Sequence, residues 1–410
     1  MTRSAVVSSL GSSGCGECSL FARKSDRKKP PHDTRTRRSD VRPQTPSTGV
    51  RWRFPGGPEG LAAVCLIFVG LVLRGSYLLE IVRLPTFAHP ISDAAIYDHW
   101  ARGLATGNWT VDPHVLGDPR IREMPFVRPP GYPYFLAMVY RLSGCSPLAI
   151  RLVQMGMGLA SCALLFGLAR AMFGRGVALL AAGLMSTYWI FIHFEGELSP
   201  TALSVFLLLG VFNLFRLWLE RRTFARALGA GVVLGLLVIT RPESLLLLPL
   251  GIVWGWWTTR GTDSVAARGV SLIGVCAGPF FAMLSATIRN YLVSGELLGL
   301  GVFGALNFYA GNNELADGVS ARINTMRALG TNAPMGEFNP RLVLQAFRAK
   351  FNNPQLGYKD GANYAFRLAF DYIRENPGRT LRLMGKKALL FWGPTETPND
   401  TVIYLSLIHI

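Results

Sequence analysis

The sequence predicts an all-α fold, a polytopic transmembrane helical bundle with at least seven spans and a long outer loop after the first. Half of the 410 residues are hydrophobic and only 16% are charged, whereas a water-soluble domain of this size needs more charge to cover its surface. The apolar residues also gather in long runs separated by short basic loops, as expected where lipid is the main solvent.

The N-terminal residues 1–55 are predicted to be a disordered basic cytoplasmic tail. Residues 1–53 contain twelve Lys or Arg against four acidic residues, and they are rich in Ser, Thr, Pro and Gly without apolar periodicity. The tail supplies nearly half of the net charge of +17. Because it directly precedes the first apolar run, this charge favours a topology signal and a contact with anionic membrane lipid over nucleic-acid binding.

Seven apolar runs define the predicted transmembrane core, residues 56–290. The first begins too far from Met1 for a cleavable signal peptide and is expected to be a signal anchor. The seven runs are Leu61–Val82, Leu148–Met172, Gly176–Phe194, Leu198–Leu219, Phe224–Thr240, Ser244–Trp257 and Val270–Ile288.

The stretch Gly131–Leu142 decides the predicted sidedness of everything after it. Twelve helical residues reach only about 18 Å, against roughly 30 Å of hydrocarbon, so we expect an interfacial helix with its tyrosines and Arg141 at the headgroup level. The basic loops that follow then share the cytoplasmic side with the tail, as the positive-inside rule requires. These loops are Arg170–Arg175, Glu220–Arg226 and Thr258–Arg268.

The outer face is then predicted to receive the loop 83–147, two short corners at Glu195–Glu197 and Arg241–Glu243, and the region 291–404. That last region has helical stretches near Tyr364–Arg374 and Arg379–Leu390, and it could cover the site as an acceptor-side cap. The last six residues, Leu405–Ile410 (LSLIHI), match the translation of a transposon end used in sequencing libraries. We therefore expect an artefact there and a truncated C-terminus; a native terminus is the alternative.

Short motifs on the predicted outer face have a common order. Asp93 lies just beyond the first span, Tyr97 follows four residues later, and Arg128 precedes Pro-Pro-Gly-Tyr. This order resembles the GT-C class of glycosyltransferases, particularly bacterial relatives of protein O-mannosyltransferases and aminoarabinose transferases. The likeness extends over about residues 70–400 through Ala169-Arg170-x-x-Phe173-Gly174, Glu195-Gly-Glu197-Leu, Thr240-Arg241-Pro, Arg289-Asn290, Gly311-Asn-Asn313 and Lys386-Lys387-x4-Trp392 with Glu396.

The resemblance implies an enzyme that moves a sugar from a polyprenyl-monophosphate carrier to a lipid, polysaccharide or protein acceptor. The site would lie on the outer face of the cytoplasmic (inner) membrane. Such a transfer needs a base for the acceptor hydroxyl, and a carboxylate directly beyond a span, Asp93, meets that need where a lipid carrier can enter. Direct attack would invert the anomeric carbon.

Each candidate residue also has a structural alternative. Ser92-Asp93 could instead cap the start of a helix. Asp98 could likewise be a base or a helix cap, but on a helix its side chain would point away from Asp93. Arg128 and Arg241 offer a guanidinium fork to the donor phosphate, or anchor their segments at the interface. Glu197, Glu195 and Tyr97 are candidates for positioning the substrate, with solvated loop carboxylates as the alternative for the two glutamates.

No metal or other cofactor is predicted. The outer loop contains Asp93, Asp98, Asp112 and Asp118 but no closely spaced Asp-x-Asp pair. Members of the GT-C class that transfer from pyrophosphate carriers tend to have such acids for a divalent ion, so the resemblance implies a monophosphate donor and no metal. The alternatives to an enzyme are a transporter or lipid flippase and a non-catalytic protein of cell-envelope assembly. A transporter should contain repeated halves and ionisable residues near the midplane of several spans. Arg74, inside the first span, is the exception among charges that otherwise collect at the outer rim.

Overall fold

The computed structural model describes residues 58–110, 120–261, 264–301, 303–319 and 340–393, and within these ranges it contains helices and no strands. The all-helical prediction is therefore confirmed for this part of the chain. The predicted tail 1–55 and the predicted artefact Leu405–Ile410 lie outside the described residues.

Within the described residues, four helices are long and apolar enough to cross a membrane: α1 (Pro58–Ile81), α5 (Pro147–Phe173), α8 (Thr201–Glu220) and α11 (Val265–Ser294). The helices α6 (Arg175–Thr187) and α7 (Trp189–Gly196) meet at a bend of 49° and make a fifth crossing if they count as one span. The remaining two predicted spans correspond to α9 (Phe224–Thr240, 17 residues) and to a 3-10 turn followed by α10 (Leu247–Thr258, 12 residues). The prediction of seven spans is therefore not confirmed.

The helices α9 and α11 pack backbone against backbone. A Cβ atom added to Gly235 would lie 2.6 Å from the carbonyl carbon of Gly278, so only glycine permits this approach. Small residues at such contacts are typical of membrane helices, because in lipid the hydrophobic effect does not hold helices together and close van der Waals packing does so instead. The contact holds the second half of α9 against the middle of α11.

After the four-residue helix α2 (Pro85–Ala88), the short helices α3 (Ser92–Thr106) and α4 (Gly131–Ser143) pack on each other beside the longer helices. The thirteen residues of α4 are too few for a span, as predicted. However, Tyr132 and Tyr140 do not lie at the protein surface as an interfacial position requires, because both rings are fully buried. Each phenol hydroxyl has a partner inside the protein, Gln154 and Asp98 respectively, which makes that burial possible.

The ends of five helices meet at one end of the bundle. Arg151, near the start of α5, bonds to Gly196 at the end of α7; Arg241, just after α9, bonds to Thr201 at the start of α8. Asn290, near the end of α11, bonds to the segment that leads into α4. Close to the predicted cytoplasmic loops, Gly255 of α10 lies against Trp218 at the far end of α8, and Arg268 stacks over Trp256.

The described part of 291–404 forms four helices: α12 (Phe303–Gly311), α13 (Pro340–Lys350), α14 (Tyr358–Glu375) and α15 (Pro377–Trp392). Both predicted helical stretches lie within α14 and α15. Glu296, just after α11, accepts hydrogen bonds from the backbone nitrogens of Tyr358 and Lys359 at 2.9 and 2.7 Å. Its carboxylate thus caps the start of α14 and ties that helix to the end of α11.

Candidate functional site

Asp93 and Arg128 form an ion pair, although 35 residues separate them. The Asp93 Oδ1 atom accepts a hydrogen bond from Arg128 Nη2 at 2.7 Å. The helix α3 does start at Ser92, but Ile91 is its N-cap residue, so Asp93 lies in the first turn and is not the cap. The Asp93 side chain is 45% exposed, whereas the Arg128 side chain is mostly buried. The carboxylate is therefore open to a substrate, and the arginine is held beside it.

Tyr97 lies one helical turn after Asp93 and is the residue around which the charged candidates gather. Its ring meets the ring of Tyr132 edge-on, with 5.1 Å between the centroids. Burial raises the pKa of the Tyr97 hydroxyl above its ordinary value. Four charged side chains also act on this hydroxyl: Arg128 and Arg241 lower its pKa, and Asp93 and Glu243 raise it.

Arg241 lies at the junction of α9 with the 3-10 turn that follows. Its Nη2 atom donates to Thr201 Oγ1 at 3.3 Å, and its Nη1 atom is 3.7 Å from a carboxylate oxygen of Glu243. The Arg241 side chain is 40% exposed. Glu243 was not predicted as a site residue, although it belongs to the predicted outer corner.

Gly131 explains how Arg128 and Arg241 come to share one rim. A Cβ atom added to Gly131 would lie 2.9 Å from the backbone nitrogen of Thr240 and 3.0 Å from the carbonyl carbon of Ile239. The start of α4 therefore packs directly on the last turn of α9. This contact places the Arg-Pro-Pro-Gly segment beside the residue that precedes Arg241.

The Glu195–Glu197 corner is held through its backbone by two side chains of α5. Gln154 Nε2 donates to the carbonyl oxygens of Glu195 and Glu197, both at 2.8 Å, and Arg151 Nε donates to Gly196 at 3.0 Å. Glu197 follows α7 and is half-buried. Sequence reasoning did not select Gln154 or Arg151, although two polar residues one turn apart in an apolar run are an available signal.

Glu195 points into the helix bundle rather than towards this rim. Its carboxylate accepts from Arg74 Nε at 2.6 Å and Arg74 Nη2 at 2.7 Å, and both side chains are 3% exposed. The pair accounts for Arg74 in the first span, which the sequence left unexplained. A substrate-positioning role for Glu195 gains no support from this geometry.

Asp98 also has a structural position. Its Oδ2 atom accepts from Arg102 Nε at 2.7 Å, and its other oxygen accepts from the hydroxyl of Tyr140. The side chain is buried against α4 and faces away from Asp93, as the five-residue spacing predicts.

Arg289 and Asn290 hold the chain just ahead of Arg128. Asn290 is completely buried; its Oδ1 accepts from the Phe126 nitrogen at 2.8 Å and its Nδ2 donates to the Gly299 carbonyl at 2.6 Å. Arg289 donates to the Met124 carbonyl and lies 4.4 Å above the Phe126 ring. The sequence quoted this dipeptide only as part of the resemblance.

Among the described residues, no group of three or more His, Cys, Asp or Glu side chains could hold a metal ion. Asp112 and Asp118 lie outside these residues. The expectation of a metal-free site therefore stays a prediction.

Comparison with known proteins supports the resemblance to a glycosyltransferase family. No curated protein matches the chain significantly. Residues 127–286 match the family model described as dolichyl-phosphate-mannose-protein mannosyltransferase. The matched segment contains Arg128, Glu197 and Arg241, and Asp93 lies before it. This family is of the GT-C type, so the match agrees with the resemblance that the motifs indicate: over residues 127–286 the chain is similar to membrane glycosyltransferases of this type.

Proposed function

We propose that this protein transfers a sugar from a polyprenyl-monophosphate carrier to an acceptor hydroxyl on the outer face of the cytoplasmic membrane. The acceptor would be a lipid, a polysaccharide or a protein. The main support is the convergence of Asp93, Arg128 and Arg241 around Tyr97 where several helix ends meet. A carboxylate and two guanidinium groups are the groups that such a transfer requires.

Asp93 is the proposed base. Its exposed carboxylate accepts the proton of the acceptor hydroxyl while that oxygen forms a bond to the anomeric carbon. The bond between the anomeric carbon and the phosphate oxygen breaks on the opposite side, and the polyprenyl phosphate leaves with both bonding electrons. One displacement without a glycosyl-enzyme inverts the anomeric configuration.

Arg128 and Arg241 are the proposed phosphate ligands. A guanidinium group can give two parallel hydrogen bonds to phosphate oxygens and stabilise the charge that develops on the leaving group. Arg128 already contacts Asp93, so a phosphate that binds it would lie close to the base. The Tyr97 hydroxyl stays protonated because burial raises its pKa, and it can donate a hydrogen bond to a sugar or phosphate oxygen. Glu197 is the proposed positioning carboxylate.

A transfer assay tests this function directly. Purified protein in lipid is incubated with labelled polyprenyl-monophosphate sugars, with pyrophosphate-linked sugars as the comparison donors. We expect Asp93→Asn to lower transfer by about 100-fold or more, the usual contribution of a positioned base, and Arg128→Ala to lower it strongly.

Glu220→Gln is the matched control, because Glu220 is also paired with an arginine, Arg216, but belongs to a predicted cytoplasmic loop. This variant should keep the wild-type rate. If no monophosphate donor is consumed, or if Asp93→Asn and Arg128→Ala both transfer at normal rates, the proposed function is wrong.

A further inference from the structure

Gln154 is a fully buried, uncharged residue whose amide is shared between two parts of the site. Its Oε1 atom accepts a hydrogen bond from the Tyr132 hydroxyl at 2.7 Å. Its Nε2 atom donates to the carbonyl oxygens of Glu195 and Glu197. The amide therefore uses both of its donor hydrogens and its acceptor, and its orientation is determined by all three bonds.

These bonds connect the candidate base to the candidate positioning carboxylate. Tyr132 lies in the first turn of α4, four residues after Arg128, and its ring packs edge-on against Tyr97, one turn from Asp93. On the other side, the amide holds the backbone on both flanks of Gly196. The connection thus runs from α3 through α4 and α5 to the corner after α7.

We propose that Gln154 is a positioning residue, which sets the place and orientation of Glu197 relative to the Tyr97 side of the site. This inference rests on the proposed function. Replacing the amide by an apolar group leaves the buried Glu195 carbonyl and the partly buried Glu197 carbonyl without this donor, so the corner must move or admit water. A displacement of about 1 Å in a positioning group can lower the rate by up to about 100-fold.

The test is a double-mutant cycle on kcat/KM between Gln154 and Glu197. Gln154→Met keeps nearly the same shape and removes the hydrogen bonds. If Gln154 acts through Glu197, Gln154→Met should lower kcat/KM by about tenfold in the wild type but by less than about twofold in the Glu197→Gln background. A purely structural amide would instead lower kcat/KM by the same factor in both backgrounds.

Asn213→Leu is the matched control. The Asn213 amide also donates to two backbone carbonyls, those of Leu164 and Leu209, but it does not contact the site residues. Its effect should be small and equal in both backgrounds. The inference is overturned if Gln154→Met lowers kcat/KM by the same factor in both backgrounds, or has no effect in the wild type. Neither result contradicts the proposed function as long as the wild type transfers sugar.

A second measurement does not require transfer activity. Glu197→Cys is made in a background without the native cysteines, and the purified protein is alkylated with a maleimide. Adding Gln154→Met should change the alkylation rate by about threefold or more, and adding Asn213→Leu should not. If the wild type transfers no sugar, the proposed function fails, and the alkylation rate alone decides whether Gln154 holds the corner. Equal alkylation rates with and without Gln154→Met would overturn that role.

Discussion

Arg74 and Glu195 form a bidentate ion pair inside the helix bundle and join α1 to α7 across 121 residues. Arg74 also donates to the Ser186 carbonyl at 3.1 Å, just before the bend between α6 and α7. A break in a helix leaves carbonyl groups without their usual donors. Arg74 therefore satisfies both the buried carboxylate and a carbonyl at the bend.

We expect either single substitution, Arg74→Leu or Glu195→Leu, to destabilise the protein by about 3–5 kcal/mol, because each leaves an uncompensated buried charge. The double variant should regain much of that loss, since the remaining contacts are apolar. Melting temperatures in detergent measure both effects. Single variants as stable as the wild type would show that the pair contributes nothing to folding.

Gly131→Ala should push α4 away from α9, because the added Cβ meets backbone atoms that cannot rotate aside. Overpacking of this kind costs about 1–3 kcal/mol, and separating Arg128 from Arg241 should weaken donor binding further. We expect a raised KM for the donor together with a lower melting temperature. Gly156→Ala is the control, since nothing lies within 4 Å of its added Cβ. Equal behaviour of the two variants would contradict the packing argument.

Asn290→Leu removes the acceptor of the Phe126 nitrogen and leaves that buried donor without its amide partner. The expected loss of stability is about 1–3 kcal/mol. Transfer should also fall, because the segment held by Asn290 leads directly into Arg128. Asn312→Ala, at a half-buried amide that follows α12 and donates to the Phe308 carbonyl of that helix, should have a smaller effect on both. Normal transfer by Asn290→Leu would show that the hydrogen bonds of Asn290 do not affect the position of Arg128.

Alkaline pH should destabilise the protein through its buried tyrosines. Burial raises the pKa of Tyr97, Tyr132 and Tyr140 above the ordinary value, so they stay neutral in the folded state when the unfolded chain already ionises. The folded state has its full stability below the pKa of tyrosine in the unfolded chain, about 10. As the pH rises above that value, the free energy of unfolding falls by up to about 1.4 kcal/mol per pH unit for each buried tyrosine. Tyr132→Phe should flatten this decline in melting temperature between pH 9.5 and 11.5, an interval chosen around the ordinary tyrosine pKa of about 10. If melting temperature declines with pH equally steeply in Tyr132→Phe and in the wild type, the buried Tyr132 hydroxyl does not cause the alkaline loss of stability.

Sidedness is testable by labelling intact cells. In a background without native cysteines, Ile91→Cys should react with a membrane-impermeant maleimide from outside, because Ile91 is exposed beside the proposed base. Arg222→Cys should react only after the membrane is permeabilised. The reverse pattern would place the candidate site on the cytoplasmic face and contradict the proposed acceptor side.

Composition and the lengths of the apolar runs determined the membrane class, the helical fold and most helix positions. The run Leu148–Met172 agrees with α5 to one residue at each end, and the run Phe224–Thr240 has the same bounds as α9. These properties depend on residues near one another in the chain, and helix formation and hydrophobic length are local. The order of the motifs around Asp93, Arg128 and Arg241 likewise indicated the family that residues 127–286 match.

Only the tertiary structure decided which polar groups meet. The motif Glu195-Gly-Glu197 contains two similar carboxylates, yet one faces Arg74 in the bundle and the other lies at the rim. The partners Asp93 and Arg128, Tyr132 and Gln154, and Phe126 and Asn290 are 22 to 164 residues apart. Such pairs depend on which helix faces pack together, and that depends on close contacts such as Gly131 against Thr240, which no local pattern specifies.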